Sequence, residues 1–295
     1  MLRFRTPGRG FTTRFAPAPT GFLHVGHVAS AILVFGMARA FGGRVLLRIE
    51  DHDRVRSRPE FQEALLEDLH WLGFSDAVET SRQSDREEHY AAALQRLSES
   101  GLVYPCSCSR KSIESVASHA EGEIPYPGTC RRAKVDGAAH MARRVHLREM
   151  SIGFDDLRLG AVSQNPTAQC GDVLVRDRLG QWTYQFAVVV DDLEQGVDLV
   201  IRGEDLLEST GRQVQIARLL GRSTAPRFLH HALIKHPGGQ KLSKSSGDTG
   251  VRDLRSAGWT PSRVLGAAAQ ALGLSNGEPL SIDDVGARVF AAGNA

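Results

Sequence analysis

"FTTRFAPAPTGFLHVGHVASAILVFGMARAFGGRVLLRIE", residues 11–50, decides the fold. The opening "FTTRFAP" reads as a short strand, stopped by Pro17 and Pro19, which cannot continue a ladder. Residues 21–43 read as one long apolar helix, ended by the Gly42-Gly43 pair. "RVLLRIE", 44–50, is β-branched and apolar, and reads as a second buried strand. Strand, tight turn, helix, strand is the opening of a parallel α/β sheet.

The pattern extends outward from this stretch. Pro59 opens a helix, and "EFQEALLEDLHWLGF" carries Phe61, Leu65, Leu66, Leu69 and Leu72 at helical spacing. Another helix falls near 85–100. Residues 104–132 then break the pattern; they are rich in Cys, Ser, Pro and Gly and read as an inserted loop region, followed by strand-like pieces at 143–149 and 172–177. The α/β alternation resumes with "YQFAVVVDDL" and "VDLVIRGEDLLESTGRQVQIARLLG", a strand running into a helix. "RFLHHALIKH" is a further strand, leading into the loop "PGGQKLSKSSGDTG", and from 251 onward only helical pieces remain. The expected class is α/β, a doubly wound parallel sheet of Rossmann type with an inserted subdomain. The expected parts are a first catalytic half at 1–103, the insertion at 104–180, a second catalytic half at 181–250 and a short helical stub at 251–295.

Composition narrows the partners. The 295 residues are 41% hydrophobic and 24% charged, an ordinary globular balance. Net charge is +2, so a nucleic-acid partner would be held by a local patch and not by bulk charge. No run of about twenty apolar residues suggests a membrane span, and no signal-peptide pattern follows "MLRFRTPGRG". Of four cysteines, Cys106, Cys108 and Cys130 lie within 25 residues, in a chain too large for a disulfide scaffold. The expectation is a reducing cytoplasm, with thiols available to a metal.

His24 and His27 flank Gly26 at the start of the long helix. As metal ligands they lack nearby partners to complete a set, and as core histidines they are poorly placed beside proline and glycine. A phosphate site fits better: a tight turn feeding a helix start presents backbone N–H groups and the positive dipole end to an anion. Late in the chain, "KLSKS" (241–245) sets Lys241 and Lys244 in a glycine-flanked loop that can deliver an ammonium group to a phosphate.

"RFAPAPTGFLHVGH" and "KLSKS" resemble the two signature motifs of class I aminoacyl-tRNA synthetases. "LLRIEDHDR" and "YQFAVVVDDLEQGVDLVIRGEDLLEST" resemble the glutamyl branch, and the resemblance covers roughly 11–275. It implies that ATP lies between the two motifs, that His24, Gly26 and His27 bind the phosphoryl oxygens, and that Lys241 and Lys244 neutralise pyrophosphate together with Mg²⁺. It implies a glutamate pocket of Arg14, the backbone of Phe15, Ala16, Pro17 and Ala18, and the side chains of Glu50, Tyr184 and Arg202. The chemistry agrees: two guanidinium forks suit two carboxylates, and one carboxylate suits an ammonium. The residues alone also allow Arg14 and Glu50 to be a structural ion pair and Tyr184 a core residue. The serine usual in this family is Ala18 here, so one hydroxyl contact is missing.

Three thiols suit Zn²⁺, which takes four ligands. Tyr126, His119 and His140 compete for the fourth place, and from the residue types alone a histidine is favoured. The spacing Cys106-x-Cys108…Tyr126-xxx-Cys130 resembles the zinc site of glutamyl-queuosine tRNA(Asp) synthetases, which implies Tyr126 and a structural site. Cys170 reads as an ordinary packed thiol.

A full glutamyl-tRNA synthetase carries about 150–200 further residues for reading an anticodon, a normal domain size. Ending at Ala295, this chain is expected to lack them, and so to resemble most the glutamyl-queuosine enzymes, which activate glutamate without tRNA and transfer it to queuosine in the tRNA(Asp) anticodon loop. A truncated synthetase charging the 3′ end of tRNA(Glu), or another nucleotidyltransferase with the same histidine motif, are the competing readings. A monomer is expected.

Overall fold

The computed structural model describes residues 2–115, 123–133, 141–234 and 250–294. Lys241, Lys244, His119 and His140 lie outside these residues. A parallel sheet in two leaves organises the rest. The first leaf runs β1 (Thr12–Phe15), β2 (Arg44–Ile49), β3 (Ala77–Arg82), joined by helices α1 (Val25–Phe41) and α2 (Pro59–Leu72). The second has the order β7-β6-β10-β9, from β6 (Ile152–Asp156), β7 (Gly160–Gln164), β9 (Leu199–Gly203) and β10 (Arg227–His231). In it β9, β10 and β6 are parallel and β7 folds back on β6 as a hairpin.

The leaves meet at β1 and β9. The Asp198 N–H donates to the Thr12 carbonyl at 3.0 Å, and the Thr12 N–H to the Asp198 carboxylate at 2.9 Å. From this seam the chain leaves β1 toward β2 on one side, while β9 continues to β10 on the other through α8 (Thr210–Leu219). That is a topological switch point, and the crevice at the carboxyl ends of β1 and β9 is where α/β sheets bind ligands.

The long helix foreseen at 21–43 forms as α1, buried along most of its length and closed by Gly42. It is apolar nearly all round because it is covered on every side. The sheet lies on one face, and α10 (Pro261–Ala271) and α11 (Ile282–Gly293) cover others; a methyl group on Gly36 would stand only 2.7 Å from the Val289 side chain. Before them comes α9 (Val251–Ser256), which packs against α10.

β4 (Val103–Cys106), β5 (Ala142–Val145) and β8 (Val173–Arg176) form a separate antiparallel sheet in the order β4-β5-β8, with the β6–β7 hairpin of the second leaf lying between β5 and β8 in the chain. Short helices α4 (Arg110–Glu114), α5 (Thr129–Ala133) and α6 (Pro166–Cys170) accompany it. It rests on α3 (Glu87–Glu99) and α7 (Tyr184–Glu194) through Tyr90, Val145, Val175, Trp182 and Phe186. Several elements have no counterpart in the sequence reading, among them β3, whose "AVETSR" is half polar, β4, the short helices α4, α5 and α6, and the β6–β7 hairpin.

Candidate active site

One cavity of about 250 Å³ opens at the β1/β9 crevice. Arg14, Phe15, Ala16 and Pro17 line it from β1 and the turn beyond; Glu50 lines it from β2, Tyr184 from α7 and Arg202 from β9, with His24, Gly26 and His27 at the start of α1. The structure therefore gathers nearly all the sequence-predicted ATP and glutamate residues that it describes. Ala18 is not among the lining residues.

The helix start is built for an anion. His24 is the N-cap of α1; its Nδ1 accepts from the Gly26 N–H at 3.1 Å, and the His27 Nδ1 accepts from the His24 N–H at 3.2 Å. With both Nδ1 atoms accepting, the neutral tautomer carries its proton on Nε2, so each ring has a donor. The two rings pack at 3.9 Å between centroids. No acidic residue occupies the first turn, so nothing in the helix offsets the positive dipole end. Gly26 is required here: a methyl group would lie 2.9 Å from the His24 ring and push it away.

The other end of the cavity is a buried charge lattice. Arg14 donates through Nε to Asp192 at 3.1 Å and through a terminal nitrogen to the Ile201 carbonyl at 3.3 Å. Arg48, wholly buried in the middle of β2, reaches Asp192 at 2.7 Å and Glu50 at 3.1 Å. Burial pushes the Asp192 carboxyl up, but Arg14 and Arg48 outweigh it and hold it below its ordinary value. Burial raises Glu50 against the pull of the same two arginines. Glu50 thus pairs with Arg48 and not with Arg14, so the alternative of an Arg14–Glu50 structural pair is replaced by a lattice centred on Asp192.

Arg202 differs from Arg14 and Arg48. It is only 6% exposed, and every hydrogen bond it makes goes to a neutral group: His230 at 3.1 Å, Gln213 at 2.7 Å and Thr210 at 2.8 Å. Among the described residues no carboxylate pairs with it. Burial lowers its pKa while Tyr184 acts in the other direction, and burial raises that of Tyr184. His230 is itself fixed by Asp156, whose carboxylate stands 2.7 Å from Nδ1. This assigns His230 as a neutral ring that accepts from Arg202 through Nε2. A buried cation with neutral partners is costly unless a ligand supplies the anion.

Sequence reasoning missed Arg48, Asp192 and His231. His231 lines the same cavity, and its Nε2 has no partner among the described residues. A signal for the first two was present: an arginine inside "VLLRI" and an acid pair inside "AVVVDDL" cannot be buried alone, so each needs the other.

Far along the insertion, the Sγ atoms of Cys106, Cys108 and Cys130 lie within 4.8 Å of one another. The Tyr126 hydroxyl stands 3.4 Å from Cys106 and 3.7 Å from Cys108, and Cys108 and Cys130 are 3.4 Å apart. Gly171 permits this arrangement: its φ is +67°, and any side chain there would run into the Tyr126 backbone. The four groups converge and can hold a metal ion. Cys170 is buried elsewhere, with burial pushing its thiol up to about 11.

The seam crevice, with a cationic pocket on one side and a helix start on the other, is that of a class I tRNA synthetase. The family model "tRNA synthetases class I (E and Q), catalytic domain" matches residues 11–278, and the chain belongs to that family. A glutamate–tRNA synthetase from Elizabethkingia anophelis superposes with a TM-score of 0.79 at 26% identity, covering 96% of this chain; this chain covers 65% of that one. Glutamyl-Q tRNA(Asp) synthetase of Geobacter sulfurreducens is 43% identical over 98% of this chain and 93% of its own length, and that of Leptothrix cholodnii is 43% identical over 90% of each. Within the class, the chain belongs with the glutamyl-Q tRNA(Asp) synthetases.

Proposed function

We propose that this protein activates L-glutamate with ATP, without tRNA, and transfers the glutamyl group to queuosine in the anticodon of tRNA(Asp). One observation carries the substrate: Arg202 is a buried guanidinium with no carboxylate paired to it among the described residues, beside Arg14, in a cavity that also holds Glu50. Two cations and one anion complement two carboxylates and one ammonium. Arg14 and Arg202 bind the carboxylates, Glu50 takes the ammonium and Tyr184 adds a phenolic hydrogen bond.

In the first step a glutamate carboxylate oxygen attacks the α-phosphorus of ATP and pyrophosphate leaves. The reaction needs positioning and charge stabilisation more than covalent help. His24 and His27 donate to phosphoryl oxygens through Nε2. Lys241 and Lys244 offset the charge of the departing pyrophosphate, and Mg²⁺, when bound with ATP, shares that task. In the second step an acceptor hydroxyl oxygen attacks the glutamyl carbonyl carbon. The bond to AMP breaks, AMP leaves with the electron pair and the hydroxyl proton passes to solvent.

The cysteine cluster holds Zn²⁺ in a structural role, with Tyr126 as the fourth ligand. A tetrahedron with Zn–S bonds of about 2.3 Å has S···S edges of about 3.8 Å, close to the 3.4 Å between Cys108 and Cys130, with the three sulfur atoms within 4.8 Å of one another.

The test is glutamate-dependent ATP–pyrophosphate exchange without tRNA. His27→Ala and Lys244→Ala should each slow it by a factor on the order of 10²–10³. Robust exchange with aspartate in place of glutamate would reject the pocket assignment. Supplying tRNA(Asp) with and without queuosine then reads the acceptor; equal labelling of both would reject it.

A further inference from the structure

A second cavity, of about 390 Å³, lies behind the glutamate pocket and shares no lining residue with it. The two cavities come together at one pair of rings. His52 faces the second cavity, Tyr184 the first, with centroids 6.3 Å apart. We propose that this second cavity seats the acceptor nucleobase, stacked on Arg176 and facing His52; the inference rests on the function proposed above.

The platform is preorganised. The Arg176 guanidinium lies 4.7 Å over the Trp182 ring. Its Nε donates to the Gly180 carbonyl at 2.9 Å, and a terminal nitrogen reaches Glu87 at 3.4 Å. Glu87 also accepts from the Trp182 indole at 2.7 Å, which fixes the ring beneath. Trp182 in turn packs on Tyr90 and Phe186. A guanidinium plane pinned in this way is a surface on which unpaired bases stack. Opposite, the His52 ring is oriented by Gln83 at 2.6 Å, and Gln83 by the buried Asp191 at 2.8 Å. The lattice that holds the glutamate pocket therefore also fixes this wall.

The rim has the character of a single-strand contact. Leu179 is 81% exposed on one side, and Val55 is 76% exposed on the other. Arg54 lines the cavity and is exposed, and its side chain makes no hydrogen bond or ion pair among the described residues. Apolar tips beside an unpaired arginine suit a splayed nucleotide and its phosphate. The His52 and Tyr184 rings, one lining each cavity and 6.3 Å apart, mark where a substituent on a base seated here would approach the activated carboxyl group.

Arg176→Lys keeps the charge and removes the plane; Arg54→Ala removes a surface cation. Binding of a tRNA(Asp) anticodon stem–loop, with and without queuosine, is measured by fluorescence anisotropy, together with tRNA-independent exchange. Both variants should exchange pyrophosphate as the wild type does, which also reports folding. Arg176→Lys should weaken binding of the queuosine-bearing loop roughly tenfold, the scale of one lost stack, with a smaller loss for the unmodified loop. Arg54→Ala should weaken both loops alike and lower the transfer rate. Wild-type binding of both loops by both variants would overturn the proposal, whatever the exchange assay gives. Absence of glutamate-dependent exchange in the wild type would instead strike at the function proposed above.

Discussion

Asp192 accepts from Arg14 and Arg48 at once, so a single carboxylate aims two arginines of different strands. It touches no substrate in the proposed pocket; it positions. Replacing it with asparagine leaves the shape but lets Arg14 swing, and small misplacements of a binding group are costly. Asp192→Asn should raise the KM for glutamate by about tenfold or more in the exchange assay, with kcat less affected. An unchanged KM would mean that Arg14 is held by the Ile201 carbonyl alone. Arg14, Glu50 and Arg202 were legible from sequence because each ends a strand that aims at the crevice. Asp192 and Arg48 were not: they lie 144 residues apart, and one sequence carries no record of which distant charge each one meets.

At the scale of elements, α2 carries an unusual group. Asp68 is fully buried, and neither carboxylate oxygen has a hydrogen-bond partner among the described residues. Burial pushes its pKa up to about 6, against the nearby Arg252 and Arg255 of α9, while Glu67 adds to the rise. A carboxyl group that ionises later in the folded than in the unfolded chain costs stability once the pH exceeds its unfolded value. That cost grows from about pH 4 to about pH 6 and is constant above. Asp68→Asn should therefore gain about 3 kcal/mol over the wild type at pH 7, and lose that advantage below pH 4. Urea melts at both pH values measure it.

The antiparallel insertion answers to a different control. Cys130→Ser should abolish stoichiometric zinc measured by atomic emission and lower the melting temperature by several degrees; full zinc retention would move the metal elsewhere. Tyr126→Phe, which keeps three thiolates, should bind zinc more weakly. α2 and α10 were readable from one strong helical period, and α1 from a long apolar run closed by Gly42. β3 was not, because its one β-branched apolar residue, Val78, is 57% exposed and no alternating pattern marks it, and the β6–β7 hairpin was hidden because its apolar residues alternate in a stretch too short to stand out.

For the molecule as a whole, the near-neutral charge, +2 over 295 residues, sets how RNA is held. With no bulk charge to draw it in, a stem–loop held by a small local patch should lose affinity with salt at a log–log slope of about −2 to −4, three to four contacted phosphates at about −0.7 to −0.9 each. Titrations at several potassium chloride concentrations read it directly, and a slope near −8 would call for a far larger basic face. The described helices are also too short or too polar to cross a membrane.

Arg202 is a buried cation whose hydrogen-bond partners among the described residues are all neutral. The amino acid is then the last piece of the building as well as its guest. Glutamate should raise the melting temperature along RT ln(1 + [L]/Kd), and an Arg202→Leu protein should melt higher than the empty wild type while ignoring glutamate. A cell poor in this metabolite would hold a softer enzyme, so the pool that feeds the reaction would also set how long each molecule survives.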